Sequence, residues 1–420
     1  MTKKCEKYDV IIIGGGPSGM ICAGRAAECG ARVLLIEKNT SLGNKLLLTG
    51  GGRCNITNAI FDNELFLQNF PEAKKYLHSC FAQFSVQDTF DFFAKLDLPL
   101  IVEARNRAFP QTQSAHDVLR VLIRYMKKGN VTIMMDTRIT DIHTENNRIT
   151  AVIDSHNTIY SAQKIVIATG GLAAPETGST GDGISFLQKL GHETVNANPN
   201  LVPLTTNAKW IHTLSGISWS FMKIRFVQNE KTQLRKTGKI LFTHFGVSGP
   251  LIINSAFEVR KLLDNGPVSA IIDLFPDTEE HDLDRKMINL FARNKDCLLK
   301  NVLPEMIFKN IAHAILQLPH LQLMDQPVKF ITRDQRKTLV HTIKNLSFPI
   351  TGTCGMNKAI VADGGVNPSQ VNFSHMTSRL YPNLYLLGDV LHINRPSGGF
   401  SLQLCWTTGY VAGDHIGHTL

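Results

Sequence analysis

The chain has 420 residues, 43% of them apolar, and 44 Lys/Arg against 35 Asp/Glu give it a net charge of +9. That length fits two or three domains with a large core, and no apolar run reaches the ~18 residues of a membrane-spanning helix. Eight cysteines (Cys5, Cys22, Cys29, Cys54, Cys80, Cys297, Cys354 and Cys405) form no C-x-x-C pair, which excludes a zinc ribbon or disulfide framework and fits a reducing, cytoplasmic compartment.

The opening "MTKKCEKYDVIII" is basic and then apolar, but the run ends at Gly14-Gly15-Gly16-Pro17 with no small-residue cleavage site. It reads as a mature N-terminus feeding a buried strand over 8–13. Gly14-x-Gly16-x-x-Gly19 follows, then a helix of small residues to Gly30 and a second strand ending at Glu37. Glycines let a pyrophosphate approach the backbone, the helix N-terminus supplies N–H groups, and an acid ending the second strand accepts ribose hydroxyls. Strand, turn, helix and acid together predict dinucleotide binding.

Residues 60–130 carry helical apolar spacing, and "ENNR" between two alternating runs predicts a hairpin turn. "KIVIATGG" (164–171) reads as another buried strand entering a glycine turn. Over 193–351 the strands "MKIRFVQNE", "KILFTHFGVSG" and "VSAIIDLFP" alternate as in a barrel or sandwich, and "EEHDLDRKMINLFARN" through "HAILQLP" is helical. "NLYLLGDV" (383–390) returns to the buried-strand pattern, followed by an apolar helix. Gly388 and Asp389 close that strand, placed to meet a pyrophosphate or a ribityl hydroxyl. This late fingerprint, together with "IVIATGG", points to a flavin dinucleotide.

A second glycine run, "TGGGRCNITN" (49–58), has no buried strand before it and so is no second pyrophosphate cradle. It reads as a loop folded over the flavin, its glycines removing bulk so that Arg53, Cys54 and Asn55 approach the ring. There is no G-x-S-x-G elbow, no H-E-x-x-H and no phosphate-binding lysine loop, and no metal is expected. Without a second G-x-G-x-x-G, NAD(P)H would bind transiently at the open flavin face.

"GGGPSG", "TGGGRCNITN", "IATGGLAAPETGSTGDG", "LFTHFGVSGP" and "LYLLGDV…PSGGFSLQLCWTTGYVAG" together resemble the BaiN/RdsA-type NAD(P)/FAD-dependent oxidoreductases, nearly end to end. The resemblance implies an α/β fold: a glutathione-reductase-like Rossmann FAD domain (1–192 and 352–420) interrupted by an insert at 193–351. The insert would be a small β-barrel (about 193–275 and 325–351) with a helical subdomain (about 276–324). It also implies that Gly14, Gly16, Ser18, Gly19, Glu37 and Lys38 line the adenosine and pyrophosphate. Gly52, Arg53, Cys54 and Asn55 would reach the flavin, and Thr169 and Gly170 would close over the dinucleotide. Gly388, Asp389, Gly399, Phe400, Ser401 and Leu402 would complete the track. Two positions depart from the pattern: relatives commonly carry Gly-Glu-Val at 388–390 and Asn at the place of Ser401. Family members are linked to different chemistries: uridine reduction in large-subunit ribosomal RNA, oxidation of a small amino ketone, and steps in steroid acid reduction.

Flavin carries the hydride, so the protein must supply position and a proton. Cys54, beside Arg53, and His244, in "FTHFGVSGP", are the candidate acids; an adjacent Arg53 would lower the Cys54 thiol pKa. Arg395 reads as a solvated loop arginine or an anion ligand. The insert is basic, and Lys223, Arg225, Lys231, Arg235, Lys236 and Lys239 would offer phosphate contacts on a hairpin, with Phe245, Trp219 and Phe400 as stacking platforms or core. The leading expectation is an NAD(P)H-using flavoenzyme that reduces uridine in ribosomal RNA. The alternatives are a small-molecule oxidoreductase acting on an amino ketone or steroid-like substrate, and an FAD-containing binding factor without turnover.

Overall fold

Val10, Ile11 and Ile12 have no exposed surface, as a strand covered on both faces of a parallel sheet requires. They belong to β1 (Tyr8–Ile13), followed by α1 (Pro17–Glu28), β2 (Val33–Ile36), α2 (Ala115–Lys128), β3 (Thr132–Met134) and β4 (Ala162–Ile167). The computed structural model describes residues 8–359 and 361–420, so the expected N-terminal lead-in at 1–7, with Cys5, lies outside the described residues. Between β3 and β4 the hairpin Ile139–Glu145/Arg148–Asp154 turns at Asn146 and Asn147, both left-handed, which is the mirror-image turn asparagine tolerates.

The chain then enters a second compact unit, Asn200–Ala359. It holds β5 (Leu204–Thr205), β6 (Ser218–Gln228), β7 (Lys231–Thr243), β8 (Gly246–Ser248), α3 (Pro250–Leu263), β9 (Val268–Asp273), α4 (Glu280–Arg293), α5 (Arg333–Lys344), β10 (Leu346–Ile350) and β11 (Gly352–Thr353). The strands form one antiparallel sheet in the order β10-β9-β6-β7-β8-β5-β11. Only Thr351 separates β10, which pairs with β9, from β11, which pairs with β5, so the continuous segment 346–353 stands at both ends of this order. One corner is stitched, because Thr351 N–H donates to Thr205 O and the Thr206 hydroxyl donates to Pro349 O at 2.6 Å.

Two boundaries also move. The contact division falls at 199/200 and 359/360, not 192/193 and 351/352, because Thr194–Asn200 pairs with Val361–Val366 in a two-stranded sheet. Within 325–351, expected to be barrel, Arg333–Lys344 is a helix. Its start is a capping box: the Thr332 hydroxyl accepts the Gln335 N–H and the Gln335 side chain accepts the Thr332 N–H.

Back in the first unit, β12 (Leu384–Leu386) completes a sheet whose central order is β12-β4-β1-β2-β3, all parallel, and α6 (Phe400–His418) ends the chain. α6 runs parallel to α1 at backbone contact. A Cβ on Gly409 would lie 2.5 Å from Ser18 O, and one on Gly413 2.6 Å from Cys22 O. Trp406 on the same helix is fully buried and donates its indole N–H to Ile56 O at 2.9 Å. No described helix is long and apolar enough to cross a membrane. Gly413→Val should push α6 off α1 and cost about 1–3 kcal/mol, read as a lower thermal midpoint with parallel loss of bound flavin.

Candidate functional site

The carboxyl ends of β1, β2 and β4, with the turn after β12, open into a cleft that is partly open to solvent. Open parallel sheets bind ligands at this edge. The three motif glycines divide two jobs there. Gly14 and Gly19 permit packing: a Cβ on Gly19 would lie 2.0 Å from Gly14 O, and one on Gly14, whose φ is +109°, 2.5 Å from Ala168 O. Gly16 has nothing within 4 Å of its Cβ position and borders the cleft. It is also the N-cap of α1, whose first turn has no side-chain cap and no acid. Free N–H groups and the positive helix end are thus left for an anion.

Glu37 is held by backbone: Oε2 accepts the Gly15 N–H at 2.7 Å and Oε1 the Asn39 N–H at 2.9 Å. Lys38 pairs with Asp182 at 2.8 Å, and Arg138 reaches the same carboxylate at 3.2 Å. The Thr169 hydroxyl is buried without a hydrogen-bond partner among the described residues.

Asp389 is the charged centre of the far wall. Arg395 Nη2 contacts its Oδ1 and Lys45 Nζ lies 3.3 Å from its Oδ2. Arg395 is 4% exposed, so it is neither the solvated loop residue nor the free anion ligand expected from sequence. Its remaining donors go to Ser401 Oγ at 3.0 Å and Ile393 O at 2.5 Å. Burial opposes ionisation of Asp389, but the charges of Arg395 and Lys45 prevail and hold its carboxyl below the usual range. Lys45, Asn39, Arg138, Ser179 and Cys405 line the cleft and were missed in the sequence. Lys45 lies four residues before the second glycine run and was legible; Arg138 arrives by tertiary folding alone.

Of the expected cofactor residues, Gly14, Gly16, Ser18, Glu37, Lys38, Thr169, Gly170, Asp389, Ser401 and Leu402 line this cleft. The second glycine run does not, apart from Thr49 at its start. Gly50, Gly51 and Gly52 are left-handed in succession (φ +59°, +67° and +85°), and Gly51 and Gly52 have nothing near their Cβ positions. Gly51 and Gly52 thus serve backbone handedness, and of the three only Gly50 removes bulk, since a Cβ there would lie 2.9 Å from Asn55 N and 3.1 Å from the Phe109 ring.

The residues behind that run turn inward. Arg53 pairs with Glu103 at 3.0 Å and stacks 4.1 Å over the Phe109 ring. Cys54 has no exposed surface, and burial pushes its thiol up to about 12, the reverse of the lowering expected from Arg53. With its amide oriented to satisfy its neighbours, Asn55 donates to Thr57 O and Ala108 O and accepts the Gly399 N–H. Gly399 abuts the Thr57 backbone, where a Cβ would come within 2.2 Å. Gly388, at φ +64°, lies beneath the Ser18 side chain and donates to Thr408. Phe400 is core, packed on Phe66 and Phe70 at centroid distances of 5.0 and 6.1 Å.

In the second unit His244 is exposed and meets Phe245 edge-on at 4.8 Å, while Trp219 packs edge-on against Phe308 at 5.1 Å. The register Arg225↔Arg235 and Lys223↔Thr237 puts Lys223, Arg225, Arg235 and Lys239 on one face of the β6–β7 hairpin. Lys236 is opposite Ile224 on the other face and pairs with Glu258 at 3.3 Å; Lys231 lies at the hairpin end. The expected six-residue strip is therefore a four-residue row.

A ligand fit follows from the cleft itself. The open Gly16 position, the uncapped helix end and the partnerless Thr169 hydroxyl suit a phosphate-bearing dinucleotide, and the extended wall to Asp389 suits FAD. Fold and cleft define a Rossmann-type FAD-dependent oxidoreductase. The HI0933-like protein Rossmann domain model matches residues 8–415, and the chain belongs to that family. It is 27% identical over 411 residues to the ribosomal RNA dihydrouridine synthase of Escherichia coli K12, covering 98% of both chains. It is likewise 27% identical over 406 residues to the 3-dehydro-bile acid delta(4,6)-reductase of Clostridium scindens, covering 96% of this chain and 97% of that one. In fold it resembles the 3-ketosteroid-delta4-(5alpha)-dehydrogenase of Rhodococcus jostii (TM-score 0.56, 15% identity, 99% and 98% coverage).

Two outcomes are expected. Gly16→Val should fill the cradle and yield protein lacking flavin absorbance. Arg395→Met should cost about 3–5 kcal/mol by stranding the buried Asp389 charge. Because the Asp389 pKa is depressed, its contribution is present above the ordinary carboxylate pKa and lost as pH falls through the folded value. The stability gap between variant and wild type should therefore be widest near neutral pH and narrow as pH falls and Asp389 protonates, as read from denaturant unfolding followed by circular dichroism at several pH values.

Proposed function

We propose that this protein uses NAD(P)H to reduce a conjugated uracil C=C bond in ribosomal RNA, giving dihydrouridine. The observation that carries the reading is charge placement. Residues 200–359 hold 21 Lys/Arg against 13 Asp/Glu, a net +8, whereas the rest of the chain holds 23 against 22, a net +1. A polyanion suits that asymmetry, and a row of three exposed cations, Lys223, Arg235 and Lys239, beside the half-buried Arg225 exceeds what one steroid carboxylate needs.

FAD, when bound, supplies hydride transfer. The N–H groups at Gly16 and Ser18 and the α1 N-terminus would hold its pyrophosphate, and Glu37 would orient ribose hydroxyls. Asp389, fixed between Arg395 and Lys45, would hold ribityl or pyrophosphate contacts at a set geometry. Thr169 and Ser401 add hydroxyls along the same wall. Hydride addition to one alkene carbon requires a proton at the other. With the Cys54 thiol sealed in the core, His244 is the proposed donor, since its side chain is exposed and histidine as a type serves acid–base work near neutrality.

The second reading is reduction of a small conjugated ketone, favoured by the equal identity to the bile acid reductase. Both readings share one chemistry, since uracil and an enone each present a C=C bond polarised by a carbonyl. Mass-spectrometric nucleoside mapping of ribosomal RNA from cells with and without the gene separates them. Loss of one dihydrouridine on deletion, restored by the gene, is expected; an unchanged dihydrouridine content would falsify the RNA reading. NADPH should bleach the bound flavin anaerobically. His244→Asn should slow substrate reduction by about 100-fold or more while that bleaching persists.

A further inference from the structure

The exposed face of the β6–β7 hairpin carries a second feature beside its cations. Phe221 is 79% exposed and left-handed, at φ +61°. A bulky residue in that region is strained, and such strain persists where it serves a site. The register explains the geometry. Trp219 pairs with Ile240 and Met222 with Gly238, so Ser220 and Phe221 together lie opposite Lys239 alone, a β-bulge. Bulges re-aim side chains, and this one turns an aromatic ring to solvent beside Lys239. Lys223 follows one row along and the Arg225–Arg235 pair the next, with Arg225 half-buried and donating from one guanidinium nitrogen to Asn345 Oδ1 at 2.7 Å. Asp273, opposite Lys223 on β9, is paired to Lys344 at 2.7 Å and leaves the row cationic.

We infer that this face is a single-stranded RNA track in which Phe221 stacks on a base while Lys239, Lys223, Arg225 and Arg235 hold the flanking phosphates. The inference rests on the RNA reading above and extends it to a named stacking residue. Base–aromatic stacking beside a basic groove is how proteins hold unpaired strands, and every base has a π-face to offer. A protein partner would be served by the cations without a strained, nearly naked ring. An oligonucleotide needs both.

The strain gives a test that separates function from structure. Glycine adopts φ +61° without penalty, so Phe221→Gly should raise the thermal midpoint of the holoenzyme. At the same time it should weaken binding of a fluorescein-labelled, uridine-rich single strand of about twelve nucleotides by roughly fivefold to a hundredfold. Phe221→Trp should restore most of that affinity. Replacing Lys223, Arg225, Arg235 and Lys239 by Gln should flatten the dependence of log K on log salt. Flavin content per chain reports that each variant is folded. If wild type binds the strand and Phe221→Gly binds it equally well, the stacking role is wrong and the RNA reading stands. If wild type binds no RNA and forms no dihydrouridine, both fall together. An equal loss by Phe221→Gly for a polyglutamate chain, which has no bases, would also overturn the stacking role.

Discussion

The parallel packing of α1 on α6 is the constraint from which the cofactor cleft follows. Gly409 and Gly413 let α6 lie on the Ser18 and Cys22 carbonyls, and Gly19 lets the other side of α1 lie on Gly14. Gly409 lies level with Ser18, so the turns of α6 that precede it, from Phe400 on, extend past the α1 N-terminus and flank the space in front of it. Gly16 and Ser18 from one helix, and Ser401 and Leu402 from the other, therefore border the same space. A side chain at any of these contacts would part the helices, so the packing glycines are as necessary to the site as the glycine that faces the ligand.

A buried ion pair governs the opposite wall. The Arg395 guanidinium reaches Asp389, Ser401 and a backbone carbonyl, leaving its charge satisfied and its neighbours oriented. Such an arrangement adds little net stability relative to an apolar wall, but it sets the direction of a carboxylate and a hydroxyl along the cofactor path. Asp389 and Ser401 meet through this arginine.

Cofactor chemistry and charge reside in different parts of the chain. The first unit holds nearly balanced charge and a cleft built from helix ends; the second carries almost all the net charge and contains an antiparallel sheet. A family with one cofactor and several substrates is accommodated by that division, because the sheet face can change without disturbing the glycine contacts beneath the dinucleotide.

The sequence alone determined the β1–α1–β2 unit, the dinucleotide cradle and Glu37, because glycine, helix cap and acid act over a few residues and leave a local signature. It also contained the Thr332–Gln335 capping box that starts α5. Only the tertiary structure decided what "TGGGRCNITN" does. Its glycines take left-handed turns, Arg53 lies over Phe109, Cys54 is sealed, and Asn55 ties the chain to Gly399. The same holds for Arg395, which becomes Asp389's partner, and for Lys236, which strand register places opposite the other cations. Those outcomes depend on contacts between residues far apart in the chain and on which face of a strand a register presents, and neither is written in local spacing.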